Sequence, residues 1–268
     1  MNATQASAPG SSPAINIKAL DKVYGGTHPV EALRGIDLEI ADGEFAALLG
    51  PSGCGKSTLL NVLAGFEAPT GGSLSVCGGP VDKPGPDRGV VFQEAALFPW
   101  LNVWENVVFG PKVQGQPARE YEERARETLR LVGLDRFDRH LPVQLSGGMR
   151  QRVGIARVLV MEPRVLLMDE PFGALDAQTR LSMQQLLLDV WQKLKKTVVF
   201  VTHDIDEAIL LADTIYVMSP RPGRIQSTYP VNMARPRSLD TLTEAGFNEL
   251  KREVMHQIRH DITADAAD

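Results

Sequence analysis

Residues Phe45–Thr58 read FAALLGPSGCGKST. Phe45 to Leu49 is an uninterrupted apolar run bounded by glycine, the pattern of a strand buried on both faces. The next nine residues, Gly50, Pro51, Ser52, Gly53, Cys54, Gly55, Lys56, Ser57 and Thr58, fit the spacing G-x-x-x-x-G-K-[ST]. Glycines at these positions let backbone N–H groups curl round a polyphosphate where side chains would collide. Lys56 supplies positive charge to the outer phosphates, and the Ser57 hydroxyl is a ligand for Mg²⁺. Lys56 to Phe66 is helical in character, so the loop has the strand before it and the helix after it that a phosphate site needs. Cys54 lies inside the loop, so bulky thiol reagents are expected to block activity at this site and its bound phosphate ligand to protect.

Working outward, Val165 to Met168 is a second buried run, and Asp169 and Glu170 emerge at its end. Asp169 is suited to hold Mg²⁺ through water, and Glu170 to polarise a water for attack on the γ-phosphate. Thr197 to Thr202 is a β-branched strand followed by His203. Parallel strands deliver their C-terminal ends to one crevice, which would put His203 at the γ-phosphate. Ala14 to Tyr24 and Val30 to Ile40 alternate as half-buried antiparallel strands do, and Ser73 to Cys77 and Gly89 to Phe92 read as further strands. Between Gln93 and about Val160 the texture turns helical, with Tyr121, Ala125, Leu129 and Val132 as one packing stripe. The expected fold class is α/β, with a helical lobe inserted into the core. The turn Pro220–Arg224 is expected to start a short tail, in which Phe247, Leu250, Val254 and Ile258 make a packing helix.

The chain has 268 residues, a net charge of −5 and two cysteines. That length supports a sizeable core. The acidic balance argues against nucleic acid as a partner, and two cysteines suit a reducing compartment better than a disulfide framework. No apolar run approaches the ~18 residues of a membrane span. Residues 1–13 lack the basic start and apolar centre of a signal peptide and read as a disordered leader. The expected location is the cytoplasm, with any membrane role supplied by a partner.

Leu145 to Arg152, LSGGMRQR, looks like a second anion-binding helix N-terminus, this time without a lysine. Ser146 is a good N-cap ahead of the stripe Met149, Val153, Ala156 and Val160. Taken alone, it reads as a capped helix with a flexible entry.

Taken together, GPSGCGKST (50–58), Gln93 after VVF, LSGGMRQR, LLMDEP (166–171), Ala174-Leu175-Asp176 and His203 resemble, in order, the nucleotide-binding subunit of ABC transporters. The resemblance covers about Ile15 to Val231. It implies a P-loop NTPase core with an antiparallel β subdomain and an α-helical subdomain inserted at about 94–160, all within an ATPase domain of 14–231. Residues 232–268 would be a short helical tail. It also implies that ATP and Mg²⁺ bind, with Gln93 joining Ser57 and Asp169 at the metal and Tyr24 stacking on adenine. Two copies would face each other head to tail, Ser146, Gly147 and Gly148 of one closing on the γ-phosphate held by the other. The Asp176 loop would span that interface.

Within the family, EAALFPWLNVWENVVFG (94–110), DEPFGALDAQTR (169–180) and PRPGRI (220–225) look like the ATPases of nitrate, sulfonate and taurine importers. That implies a peripheral protein at the cytoplasmic face of the inner membrane. A permease would dock near 94–110, and a periplasmic solute-binding protein would act through it. Trp100 and Trp104 either contact that permease or pack the lobe. Taurine or aliphatic sulfonates are the expected solutes; nitrate, a pyrimidine vitamin precursor, or a non-transport ABC ATPase are the alternatives.

Overall fold

In the computed structural model, residues 13–265 are described, with side chains to Ile258. The expected leader therefore lies, Pro13 apart, outside the described residues. The chain begins with β1 (Ile15–Tyr24) and β2 (Val30–Ile40), then β3 (Phe45–Leu49) and α1 (Lys56–Ala64). Next come β4 (Gly71–Val76), β5 (Gly79–Pro80) and β6 (Arg88–Val91). The helical stretch holds α2 (Val103–Val113), α3 (Ala118–Leu131) and α4 (Gly147–Leu159). The chain then alternates β7 (Val165–Asp169), α5 (Ala177–Leu194), β8 (Thr197–Thr202) and α6 (Ile205–Leu211). It closes with β9 (Thr214–Met218), β10 (Ile225–Pro230) and α7 (Ala245–Asp265).

Two sheets form, in the orders β2-β1-β4-β5 and β10-β9-β3-β8-β7-β6. The first is antiparallel, as the alternation predicts. In the second, β9, β3, β8, β7 and β6 run parallel and β10 adds antiparallel at the edge. Every residue of β3 and β8 is buried, the reason both read as unbroken apolar or β-branched runs. Because these strands are parallel, residues 50, 93, 170 and 203 all leave the sheet at one edge.

In the helical stretch, Tyr121, Ala125, Leu129 and Val132 are buried in one cluster with Val153, Ala156 and Val160. Asn102 and Glu105 form a capping box at the start of α2, which fixes where that helix begins. Phe247 and Val254 of α7 enter the same core beside Ala208 to Leu211 of α6.

The turn Pro220–Arg224 does not start a tail. It joins β9 to β10, and Gly223 donates to the Ala32 carbonyl at 2.9 Å and accepts from Arg34 N at 3.0 Å. A Cβ on Gly223 would sit 2.1 Å from the Cys54 carbonyl oxygen. Close approach to the back of the phosphate loop, not chain flexibility, is what this glycine serves.

Candidate active site

The residues expected to bind nucleotide gather in two groups. The first surrounds the loop after β3. Lys56 is 4% exposed, and its Nζ donates to the carbonyls of Gly50 and Pro51 at 2.8 and 2.9 Å. The ammonium is thereby held in the hollow of its own loop, 3.9 Å from Glu170 Oε1. Ser57 Oγ donates to Asp169 Oδ1 at 3.0 Å, so the loop hydroxyl and the β7 carboxylate face one point. Burial raises the Asp169 carboxyl above the usual range, partly offset by the Ser57 hydrogen bond.

Glu170 is the hub of this group. It has left the strand with φ of +43°, a conformation few non-glycine residues adopt. Its amide donates to the Val201 carbonyl of β8 at 3.0 Å. Its Oε2 lies 3.0 Å from His203 Nδ1. A carboxylate standing between an ammonium and an imidazole is well placed to accept a proton from water and hand it on.

Tyr24, at the end of β1, reaches the same loop from the other sheet. Its hydroxyl donates to Glu67 Oε1 at 2.9 Å and lies 3.5 Å from Thr58 Oγ1, while Lys22 sits over its ring at 5.0 Å. Burial and the Glu67 carboxylate push its hydroxyl pKa up.

The second group is at the start of α4. Ser146 Oγ accepts from Met149 N at 3.2 Å, the N-cap that the sequence suggests. A Cβ on Gly148 would lie 2.4 Å from Thr179 Cγ2, so this glycine permits direct packing of α4 on α5. Asp176 caps α5 by accepting from Thr179 N at 3.0 Å, a bond that lowers its carboxyl pKa. Gln93 lies between the groups. Its Nε2 is 3.0 Å from where a Gly173 Cβ would stand, and it lines a cleft of about 400 Å³ with Gly147, Arg150, Ala174 and Leu175.

Cys54 is 1% exposed. Its Sγ faces inward beneath the loop, 4.0 Å from Lys56 Nζ, and burial pushes the thiol pKa up despite that ammonium. A reactive thiol needs access and thiolate; burial of Cys54 works against both, and so against the expected block by thiol reagents with ATP protection. The tryptophans divide. Trp100 is 73% exposed, whereas Trp104 is partly buried in the lobe core with Arg126 over its ring at 5.1 Å.

The model of the ABC transporter family matches residues 33–173. The chain belongs to the ABC transporter family. It is 55% identical over 204 residues to the taurine import ATP-binding protein TauB of Burkholderia pseudomallei (strain 1710b), covering 76% of this chain and 78% of that one. TauB of Rhizobium johnstonii is 52% identical over 238 residues, 86% and 89% of the two chains. Among solved structures, a dimeric post-hydrolysis ATP-binding cassette with ADP and Pi superposes with a TM-score of 0.71 at 34% identity, over 82% of this chain and 100% of that chain. An ABC cassette binds ATP.

Several supporting residues escape a sequence reading. Gln151 Nε2 donates to the Phe92 carbonyl at 3.0 Å, and Arg157 donates to those of Ala95 and Ala96, each at 3.0 Å. The helix that starts at Gly147 therefore grips the segment carrying Gln93. Burial lowers the Arg157 pKa, and a basic residue on a polar helix face gives no sequence signal of that burial.

Proposed function

We propose that this chain is the ATP-hydrolysing subunit of an ABC importer for taurine or a closely related aliphatic sulfonate. The observation that carries this is the 55% identity to a taurine import ATP-binding protein over 76% of the chain. The named relatives favour taurine over nitrate or a pyrimidine precursor. Lys56 and the amides of Gly50 to Thr58 would hold the phosphates, with Tyr24 against the adenine. Glu170 would take the proton of the attacking water, and His203 would orient Glu170 and the γ-phosphate.

Mg²⁺ fits this set. Ser57 Oγ and Asp169 Oδ1 converge to 3.0 Å, and both are oxygen donors, the ligand type this hard cation takes. No group of three or more His, Cys, Asp or Glu that could hold a metal occurs among the described residues. That suits an ion that keeps several waters and shares the substrate's phosphates. When bound it would neutralise developing charge on the phosphate oxygens, with Gln93 joining Ser57 and Asp169 as its contacts.

Two copies would work head to tail, Ser146, Gly147 and Gly148 of one meeting the γ-phosphate held by the other and Asp176 lying along the interface. The relative solved as a dimer with ADP and Pi supports this arrangement. Among the described residues no helix is long and apolar enough to cross a membrane. A permease would bind at 94–110, where the ring of exposed Trp100 packs at a tilt against Phe98 at 5.7 Å and Phe98 against Phe109 at 4.4 Å. Such aromatic clusters are common binding hot spots. The assembly would sit at the cytoplasmic face of the inner membrane, served from outside by a periplasmic solute-binding protein.

A strain deleted for this gene should lose growth on taurine as sole sulfur source and regain it on complementation. Unchanged growth on taurine with loss on nitrate as sole nitrogen source would overturn the solute. In the purified protein, Glu170→Gln should keep ATP binding and accumulate a dimer while hydrolysis stops; full turnover would remove Glu170 as the base.

A further inference from the structure

The turn carrying Asp176 and the segment carrying His203 are joined within one chain by a polar path. Arg180, in the first turn of α5, donates from Nη2 to the Leu175 carbonyl at 3.1 Å, so its guanidinium is fastened to the residue before Asp176. The same guanidinium faces two carboxylates of the next helix start. Its Nη1 is 3.9 Å from Asp204 Oδ2, and its Nε is 3.9 Å from Glu207 Oε1. Glu207 is 5% exposed. Its Oε2 accepts from Thr202 Oγ1 at 2.7 Å, and its Oε1 accepts from Gln184 Nε2 at 3.3 Å.

Thr202 completes the path. Besides donating to Glu207, its hydroxyl accepts from Asp204 N at 3.0 Å. One hydroxyl thus ties the residue before His203 to the residue after it. Asp204 in turn caps α6 by accepting from Asp206 N and Glu207 N at 2.8 and 3.2 Å. The path contains a loose joint. Arg180 Nε is buried without a hydrogen-bond partner, and an unpaired buried donor carries a penalty. A shift of about 1 Å toward Glu207 would bring Nε into hydrogen-bonding range. Glu207, whose carboxyl pKa is raised by burial above the ordinary range, would turn its 3.9 Å ion pair with Arg180 into a direct hydrogen bond by that shift.

We propose that Arg180, Glu207 and Thr202 form a relay through which the position of the Asp176 turn sets the position of His203. The relay rests on the reading above in which that turn lies at the interface of two copies. It would make hydrolysis depend on assembly: a turn pressed by a partner moves the guanidinium, Glu207 follows, and Thr202 aligns His203 with Glu170. All three are positioning residues and none touches the phosphates.

The test is a double-mutant cycle on the full-length chain, reading kcat and KM for Mg²⁺-ATP, with Arg180→Ala, Glu207→Gln and the pair. Each single change should lower kcat about fivefold with KM held within about twofold, and the pair should be no worse than the poorer single. Arg180→Lys should rescue little, since an ammonium lacks the fork that holds Leu175 and faces Glu207 together. Multiplicative losses in the pair, or losses confined to KM, would overturn the relay. Should Glu207→Gln fold poorly, Thr202→Val replaces it in the same cycle. Dimer formation in a Glu170→Gln background separates the two readings. If Glu170→Gln alone never dimerises with ATP, the assembly reading fails; if it dimerises and the cycle is multiplicative, only the relay fails.

Discussion

Two helices of this cassette begin with glycine-led loops, and they are built for different jobs. At α1 the N-cap is Gly55 and no side chain caps the helix, leaving its first N–H groups free for a ligand. At α4 the hydroxyl of Ser146 already takes the Met149 amide. Around α1 stand a buried lysine, two carboxylates and a histidine drawn from three parallel strands. Around α4 the neighbours are Leu175 and Thr179, with Arg150 turned back to the Leu145 carbonyl. In the proposed reading, the first N-terminus is a site with its own acid–base chemistry. The second would be a platform of dipole and amides that polarises but does not activate water. On that reading the contrast explains why one chain carries both: the platform would complete a site whose chemistry is already in place elsewhere.

The widest separation between the two should appear at Lys56. Lys56→Ala removes the only side-chain cation that the loop itself supplies, and kcat/KM for ATP should fall about 100-fold or more. Lys56→Arg should not restore it, because the slot is 4% exposed and shaped by the Gly50 and Pro51 carbonyls. Activity within a few-fold of wild type would mean that the first N-terminus is not the chemical one. The platform should respond to shape instead. Gly148→Ala drives a methyl onto Thr179 Cγ2, and an overpacked contact of this kind costs about 1–3 kcal/mol. Hydrolysis should drop about tenfold. Thr179→Ser removes that methyl while leaving the Thr179 amide on Asp176, so the double variant should recover most of the loss. Failure of the rescue would show that Gly148 is needed for something other than its contact with α5.

A smaller effect is expected at the cap. Ser146→Ala should lower stability by about 1 kcal/mol through the lost Met149 bond, measured by thermal or denaturant unfolding. If Ser146 also meets a phosphate, hydrolysis should fall by more than that stability loss explains; equal losses would leave it a cap alone.

What could be seen in the sequence was local. The loop, Asp169-Glu170 and His203 are each short patterns attached to a buried strand, and the parallel sheet assembles them with no further information. Elements fixed by distant partners stayed hidden. Pro220 to Arg224 has the composition of a linker, and only the bonds of Gly223 to Ala32 and Arg34 turn it into a brace behind the loop. Glu207 and Arg180 give no local signal of their partners, since the bonds of Glu207 to Thr202 and Gln184 and of Arg180 to Leu175 join separate segments. Trp100 and Trp104 lie four residues apart, yet Trp100 falls in the turn before α2 and is exposed while Trp104 lies within α2 and packs on the lobe core.

The smallest effect should be at Cys54, where sequence position and side-chain direction part company. Cys54 belongs to the loop, but its thiol lies under the backbone, packed near Gly50 and Lys56. At neutral pH a bulky maleimide should label Cys77 faster, because Cys77 is only partly buried while Cys54 is closed off. Both thiols have raised pKa values from burial. Each should therefore label more slowly at pH 7 than a free thiol, and about tenfold faster for each pH unit gained below its pKa. ATP should change the Cys54 rate little, since the loop's own packing guards the sulfur before any ligand arrives. Peptide mapping by mass spectrometry with and without Mg²⁺-ATP reads both rates. Rapid Cys54 labelling that ATP suppresses would mean that the loop opens its underside in solution, and the first N-terminus would then be the more mobile of the two.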